Sequence, residues 1–399
     1  MSDRMASVAK SVTASAVREI LKLTQGGSVI SLAGGLPAEE LFPLEELAQA
    51  YARVFKTGAH ALQYGLTEGY TPLRDVIASR MASKGMTVDV DDMLLTTGSQ
   101  QAIDLVARVL IEPGDRIFVE DPTYLAALQI FKFHSAHIVP IATDRDGMEM
   151  DALRRELASG PPKFVYVTPT FSNPTGRVWT RERREQLLAL CREFDVLVLE
   201  DDPYGDIAFD VDALPPTLYA LDAQLGGDTH VIYTSTFSKT VVPAVRSGWV
   251  CAPKSVAAAL VRAKQAADLH SSSIDQQALY ELLTHFDIDA HIATVRDEYR
   301  HRMMILHRLL REQPWSGVRW ERPSGGMFLW LELPEHVDTL ELLQTAVREG
   351  VAYVPGHEFY AGVARKNTLR LNFSHSGPDT LQEGVRRLAR ALQPVLDES

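Results

Sequence analysis

Short runs rich in β-branched and other apolar residues alternate with amphipathic stretches from about residue 90 to residue 252. Few folds accommodate that pattern. Residues 93–97, 116–120, 137–142, 164–168, 196–200 and 231–235 read as strands, and 100–111, 124–133, 151–158 and 180–194 read as helices. Strands alternating with helices form βαβ units, which assemble a mostly parallel sheet with helices on its faces. From about Thr284 the texture changes. A long helical stretch over 293–313 precedes strands at 318–320 and 326–332, a helix at 341–349, short strands near 351–354 and 368–372, and a last helix. A chain of 399 residues is too long for one small core. The expectation is an α/β fold in which 49–284 form a large domain and 285–399 a smaller α+β domain, with 1–48 as an N-terminal arm and part of the small domain.

Composition removes several function classes. The formal net charge is −12 and no Lys/Arg run stands out, so a nucleic-acid partner is not expected. No segment approaches the roughly 20 apolar residues that span a bilayer, and the first residues lack a continuous apolar run, so a soluble, cytoplasmic protein is expected with no membrane partner. Cys191 and Cys251 each lie in an apolar stretch, without the spacing of a metal site, so two reduced thiols and no metal are expected. Neither GxGxxG nor GxxxxGK[ST] occurs, which leaves dinucleotide and P-loop readings without support.

In an open parallel sheet, ligands bind beyond the carboxyl ends of the strands. Gly98-Ser99-Gln100, Asn173-Pro174-Thr175-Gly176, Asp201-Asp202-Pro203-Tyr204 and Ser238-Lys239 all follow expected strands, so four strand ends converge on one crevice. A lone lysine is usually a surface residue. Lys239, however, follows an apolar strand, and a partly desolvated lysine has a lowered pKa and serves as a Schiff-base nucleophile. Thr236 and Ser238 bring hydroxyls suited to a phosphate, and Arg246 brings a bidentate clamp. Asp201 ends an otherwise apolar strand. It reads either as a turn aspartate or as a buried carboxylate that needs a cation, such as the protonated pyridine nitrogen of pyridoxal phosphate. Tyr204 and Asn173 stand where they can reach a ring oxygen, although an Asn-Pro turn alone would explain Asn173. Gly98-Ser99-Gln100 opens a helix, which is either a plain N-cap or an anion site. Tyr124 is suited to stacking on a ring or to simple packing.

The ordered set GSQQ, DPTY, NPTG, DDPYGD, STFSK, PAVRSGW, PSGGMF and RLNFS resembles the fold type I pyridoxal-phosphate aminotransferases, nearest the 2-aminoadipate and kynurenine aminotransferase branch. Each motif alone is weak; their joint order, from about Val17 to near the C-terminus, is specific. The resemblance implies pyridoxal 5'-phosphate as cofactor, Lys239 as its Schiff-base lysine and Asp201 as the partner of its pyridine nitrogen. It implies Tyr204 and Asn173 at the ring hydroxyl, Tyr124 against the ring, and Ser99, Gln100, Thr236, Ser238 and Arg246 around the phosphate. The family often has Ser where this chain has Thr236, and the hydroxyl is kept. Tyr64 matches a tyrosine that reaches the phosphate of a neighbouring subunit, which implies a homodimer with shared sites. Arg370 matches the arginine that takes the substrate α-carboxylate, with Asn173 and Gly35 also on the substrate side.

The implied reaction moves an amino group from an L-amino acid to 2-oxoglutarate or another 2-oxo acid. A β-lyase or decarboxylase on the same scaffold is an alternative, because reaction choice depends on which Cα bond stands perpendicular to the ring. A cofactor-sensing regulatory domain or a scaffold with a dead site fits less well, given the short segment before Val17 and the intact Lys, Asp, Tyr and Arg set. For the substrate side chain, residues 16–24 resemble a short helix near the substrate mouth, where Arg18 would bind a distal carboxylate; the same residues also read as a solvated helix face with Arg18 and Lys22 at i,i+4.

Overall fold

The computed structural model describes residues 4–11, 20 and 27–397. Arg18 and the helix expected over 16–24, Ile20 apart, lie outside the described residues.

An eight-stranded sheet forms the larger layer. Its strands run, edge to edge, Met93–Thr96, Gly248–Cys251, Val231–Thr236, Leu197–Asp201, Phe164–Val167, Arg116–Asp121, His137–Asp144 and Gly147–Met148. Neighbours from Val231–Thr236 through to His137–Asp144 pair in parallel. Gly248–Cys251 runs antiparallel to both its neighbours, which leaves Met93–Thr96 pointing with the parallel set. The strands at 164–167 and 231–236 are buried at every position, because helices cover both faces. Ile117 and Val119 pack on one face with Ile103, Phe131 and Leu260, while Phe118 packs on the other with Leu153 and Leu187. The side-chain period of two in a strand divides them this way.

The sheet order places a topological switch beside Arg116–Asp121. From that strand the chain moves outward to His137–Asp144, then returns to add Phe164–Val167 on the opposite side. The loops leaving Arg116–Asp121 and Phe164–Val167 therefore diverge and open a crevice.

A second, antiparallel sheet runs Arg319–Trp320, Phe328–Glu332, Thr368–Asn372 and Val354–Pro355. The long helices Ile288–Arg311 and Pro378–Leu396 share its core: Leu329, Leu331, Leu369 and Leu371 pack with Leu306, Leu388 and Leu392. Arg370 stands between Leu369 and Leu371, so the strand period turns it to the other face, toward the crevice. The expected α/β class, with a large mostly parallel sheet and a smaller α+β part, is the observed one.

Candidate active site

Six strands of one direction end along the same edge of the large sheet, and the segments that follow five of them carry the chemistry. Asp201 is the last residue of Leu197–Asp201 and is buried. Its Oδ2 accepts a hydrogen bond from the Tyr166 hydroxyl at 2.8 Å, while Oδ1 is buried with no partner. Burial pushes the Asp201 carboxyl up to about 7, against the opposing pull of the Tyr166 hydrogen bond. Tyr166 lies on the adjacent strand, fully buried, with its phenol held far above its ordinary range by burial and by the Asp201 charge. It is a permanent donor.

Lys239 follows Val231–Thr236 in a tight turn and is partly buried. Its Nζ donates to the Gly35 carbonyl at 3.0 Å. Burial lowers its pKa to about 8, with the Arg370 and Arg246 charges adding to the effect. Arg370 donates from Nη1 to Asn173 Oδ1 at 2.6 Å and from Nη2 to the Ala33 carbonyl at 2.7 Å. The guanidinium lies 4.0 Å from the centre of the Phe328 ring and 5.0 Å from that of Phe359. Its Nε has no partner, and among the described residues no carboxylate pairs with it. Burial lowers its pKa to about 10. Asn173 also hydrogen-bonds the Tyr204 hydroxyl, leaving its Nδ2 as the donor there once Oδ1 has accepted from Arg370. Tyr204 is buried, edge-on to Phe328 at 5.9 Å. The Tyr124 hydroxyl is pushed up to about 12, first by burial and then by the Asp201 charge, so these two groups face the same space.

The remaining group gathers at the start of helix Ser99–Leu110. Gly98 caps that helix at φ 80°, and a Cβ on it would stand 2.7 Å from Arg246 Nη2. Arg246 is itself left-handed, φ 48°, and donates to Ser238 Oγ at 3.3 Å and to the Thr97 carbonyl at 3.3 Å. Thr236 Oγ1 lies 2.9 Å from Ser238 Oγ and gives its own proton to the Ser247 carbonyl at 2.8 Å. With that proton spent, Thr236 Oγ1 accepts from the Ser238 hydroxyl, so Thr236 orients Ser238, whose oxygen also accepts from Arg246. Ser99 is half-buried and the Gln100 side chain exposed; it is the next residue, Gln101, that turns inward and is hydrogen-bonded.

Of the residues singled out from the sequence, Lys239, Asp201, Tyr204, Asn173, Tyr124, Gly35 and Arg370 thus meet in one crevice, with Ser99, Thr236, Ser238 and Arg246 at its helix end. Tyr64 stands apart, 79% exposed and edge-on to His270 at 5.8 Å. Sequence reasoning missed Tyr166, Phe328 and Phe359. A tyrosine in an otherwise aliphatic buried strand was the available signal for the first; the two phenylalanines look like ordinary core.

A family model for aminotransferase class I and II matches residues 28–388. The aromatic-amino-acid aminotransferase 1 of Thermococcus litoralis is 41% identical over 387 residues, covering 95% of this chain and 92% of that one. The 2-aminoadipate transaminase of Thermus thermophilus is likewise 41% identical, over 96% of this chain and 95% of its own. The crystal structure of the Thermus thermophilus α-aminoadipate aminotransferase, complexed with N-(5'-phosphopyridoxyl)-L-leucine, superposes with a TM-score of 0.93 at 38% identity, covering 100% of this chain and 99% of that one.

Proposed function

The chain belongs to the class I and II aminotransferases, pyridoxal-phosphate enzymes that act on amino and 2-oxo acids, and we propose that within it Lys239 carries the cofactor while Arg370 holds the substrate α-carboxylate. The observation that carries this assignment is the state of Arg370. A guanidinium buried between two aromatic rings, with no carboxylate partner, is costly unless a ligand brings the missing charge. Every amino-acid substrate brings one, and the planar fork suits it.

The residues fit the cofactor. Asp201 offers a bare buried oxygen to a ring-nitrogen proton. Gly98 lacks the Cβ that would crowd Arg246, and the free N–H groups that follow it suit a phosphate. Ser99, Thr236, Ser238 and Arg246 would surround that phosphate, with Gln100 adding its backbone N–H and not its exposed side chain. Tyr124 would lie on the ring, and Tyr204 and Asn173 would hold its hydroxyl. When bound, pyridoxal phosphate supplies an electron sink for the pair left at the substrate Cα. Asp201 would keep the ring nitrogen protonated, and the Tyr166 hydrogen bond favours its carboxylate form against the upward push of burial. Lys239 Nζ takes the proton from Cα, and a pKa of about 8 leaves part of the amine free near neutral pH. Asn173 bridges Arg370 and Tyr204, so the carboxylate-binding and ring-hydroxyl partners form one rigid unit.

The donor is a 2-aminoadipate, kynurenine, aromatic or branched-chain amino acid, with 2-oxoglutarate as acceptor; similarity to relatives named for 2-aminoadipate and for aromatic amino acids supports that range. Arg18 sorts donors with a second carboxylate. The enzyme is a cytoplasmic homodimer in which Tyr64 reaches the partner's phosphate site. Its support is a cluster of exposed apolar side chains, Leu62, Tyr64, Leu66 and Leu269. None of the described helices is long and apolar enough to cross a membrane. The domain division is that expected above, with 49–284 as the cofactor domain. The test is borohydride reduction of the yellow holoenzyme followed by peptide mass spectrometry. The cofactor should be fixed on Lys239, and a panel of donors with 2-oxoglutarate should give turnover; fixation on another lysine overturns the assignment.

A further inference from the structure

Lys264, on helix Lys254–Asp268, has a side chain with no exposed surface. None of the chemistry above uses it. Its Nζ stands 2.7 Å from Gln101 Oε1 and 3.0 Å from each carboxylate oxygen of Asp268, so all its donors are committed. Gln101 Nε2 donates to Asp268 Oδ2 at 2.7 Å, and Gln101 Oε1 also accepts from the Thr97 backbone N–H at 2.8 Å. The three side chains close a ring. A flipped Gln101 amide would turn its NH2 toward Lys264 and the Thr97 N–H and its oxygen toward a carboxylate, so a single orientation is allowed.

That ring grips the turn leading into helix Ser99–Leu110. Thr97 is held at its N–H by Gln101, at its carbonyl by Arg246 Nη2 and at its hydroxyl by Ser271 Oγ, 3.0 Å away. Gly98 follows at φ 80°, and the free N–H groups of the first helical turn come next. On the other side, Leu269 takes φ 64° and ψ −57°, a strained conformation for a leucine, in a three-residue turn closed by His270 N–H to the Asp268 carbonyl at 2.7 Å. The contacts of Asp268 and Ser271 on either side of Leu269 hold that turn. A buried ion pair is a poor source of stability, because an apolar side chain packs there as well or better. What the ring supplies is fixed geometry.

We propose that Lys264, with Gln101 and Asp268, is a positioning unit that sets the geometry of the Thr97–Gln100 turn and thereby the affinity for the cofactor's phosphate. It rests on the reading of that turn as the phosphate site. It acts through the backbone of the turn.

The test uses cofactor-free protein titrated with pyridoxal phosphate and, separately, with pyridoxal, the same ring without phosphate, binding being read from absorbance. Lys264→Met should weaken pyridoxal phosphate by roughly tenfold or more, as losses of outer-shell partners do at other bound groups, and leave pyridoxal little changed. Lys264→Arg should recover part of the loss. Gln101→Leu should repeat the selective effect, and it carries the test if Lys264→Met does not fold. Equal weakening of both ligands, or no weakening of either, overturns the proposal. Arg246→Ala is the control: if it discriminates between the two ligands and the Lys264 and Gln101 variants do not, the positioning unit is wrong; if it too fails to discriminate, the phosphate site itself is wrong.

Discussion

Replacing Arg370 by alanine removes a buried cation that has no carboxylate of its own among the described residues. The guanidinium satisfies Asn173 Oδ1 and the Ala33 carbonyl, and it fills the gap between Phe328 and Phe359. Losing a desolvated charge partner costs about 2–5 kcal/mol. That corresponds to a fall in kcat/KM of roughly 30-fold to several-thousand-fold, shared by acidic, aromatic and aliphatic donors alike because each carries an α-carboxylate. Arg370→Lys keeps the charge and loses the fork, so it should fall between the two. The same variant makes a second, independent mark. After burial, the Arg370 charge is the largest influence lowering the Lys239 pKa. Without it the lysine becomes more basic, and the pH at which Lys239 is modified in cofactor-free Arg370→Ala should move to higher values. The assays are single-turnover half-reactions with each donor and pH-dependent reductive methylation of Lys239. A loss confined to donors with a second carboxylate, or kcat/KM unchanged for all of them, would refute the reasoning.

Tyr166→Phe keeps the ring and removes the hydrogen bond to Asp201, worth about 1.5–3 kcal/mol to a charged acceptor; kcat should fall more than KM rises, and equal kcat in the two proteins would remove Tyr166 from the account. In the cofactor-free protein, Asp201 titrates near 7 against an ordinary value of 3.8, so its contribution to stability is full below about pH 4 and is lost as pH rises through 7. Thermal denaturation of Asp201→Asn between pH 4 and 8 should therefore lack part of the wild-type decline, whereas parallel curves would place the titration elsewhere. Mixing Lys239→Ala chains with Tyr64→Phe chains should regenerate activity if Tyr64 completes a neighbour's site; a fully active monomer in sedimentation would contradict the shared site. Arg18→Ala should slow glutamate and 2-aminoadipate half-reactions and spare an aromatic donor, and equal losses for both kinds would assign Arg18 to structure.

The large sheet was readable from sequence because strands buried on both faces are largely apolar, as residues 164–167 and 231–233 are. The polar residues directly after those strands were readable for the same reason: each interrupts an apolar run at the edge where a ligand can approach. Strand direction was not. Gly248–Cys251 has the texture of its parallel neighbours, yet it enters the sheet between Met93–Thr96 and Val231–Thr236 in the reverse sense. Nothing in four residues encodes that; the connection that reverses the chain includes a left-handed residue at Arg246, a conformation seldom taken by arginine. The Gln100-Gln101 pair carries a similar lesson. Helix geometry turns one amide outward and the next inward, and no local cue tells which neighbour waits at 101. Lys264 and Asp268 look like an exposed i,i+4 pair, and only the packing of their helix against Ser99–Leu110 buries the lysine.

The charges of the crevice share one property that their separate roles do not reveal. Asp201 is pushed toward its neutral form, Lys239 toward its neutral form, and Arg370 below its ordinary pKa, in every case chiefly by burial. Among the described residues each is also short of a partner: Asp201 lacks one on Oδ1, Arg370 lacks one on Nε, and Lys239 has only the Gly35 carbonyl. A fold maintained for stability alone would pair these groups with one another or replace them with apolar residues. Asp201 and Arg370 do not meet; Tyr166 holds one and Asn173 the other. The spacing keeps opposite charges from neutralising each other and so leaves two different binding positions, one for a cation and one for an anion. A protonated pyridine ring suits the first, and the carboxylate of an amino acid suits the second. Lys239 is the group free to give up its proton near neutral pH, as transfer of a proton from Cα demands.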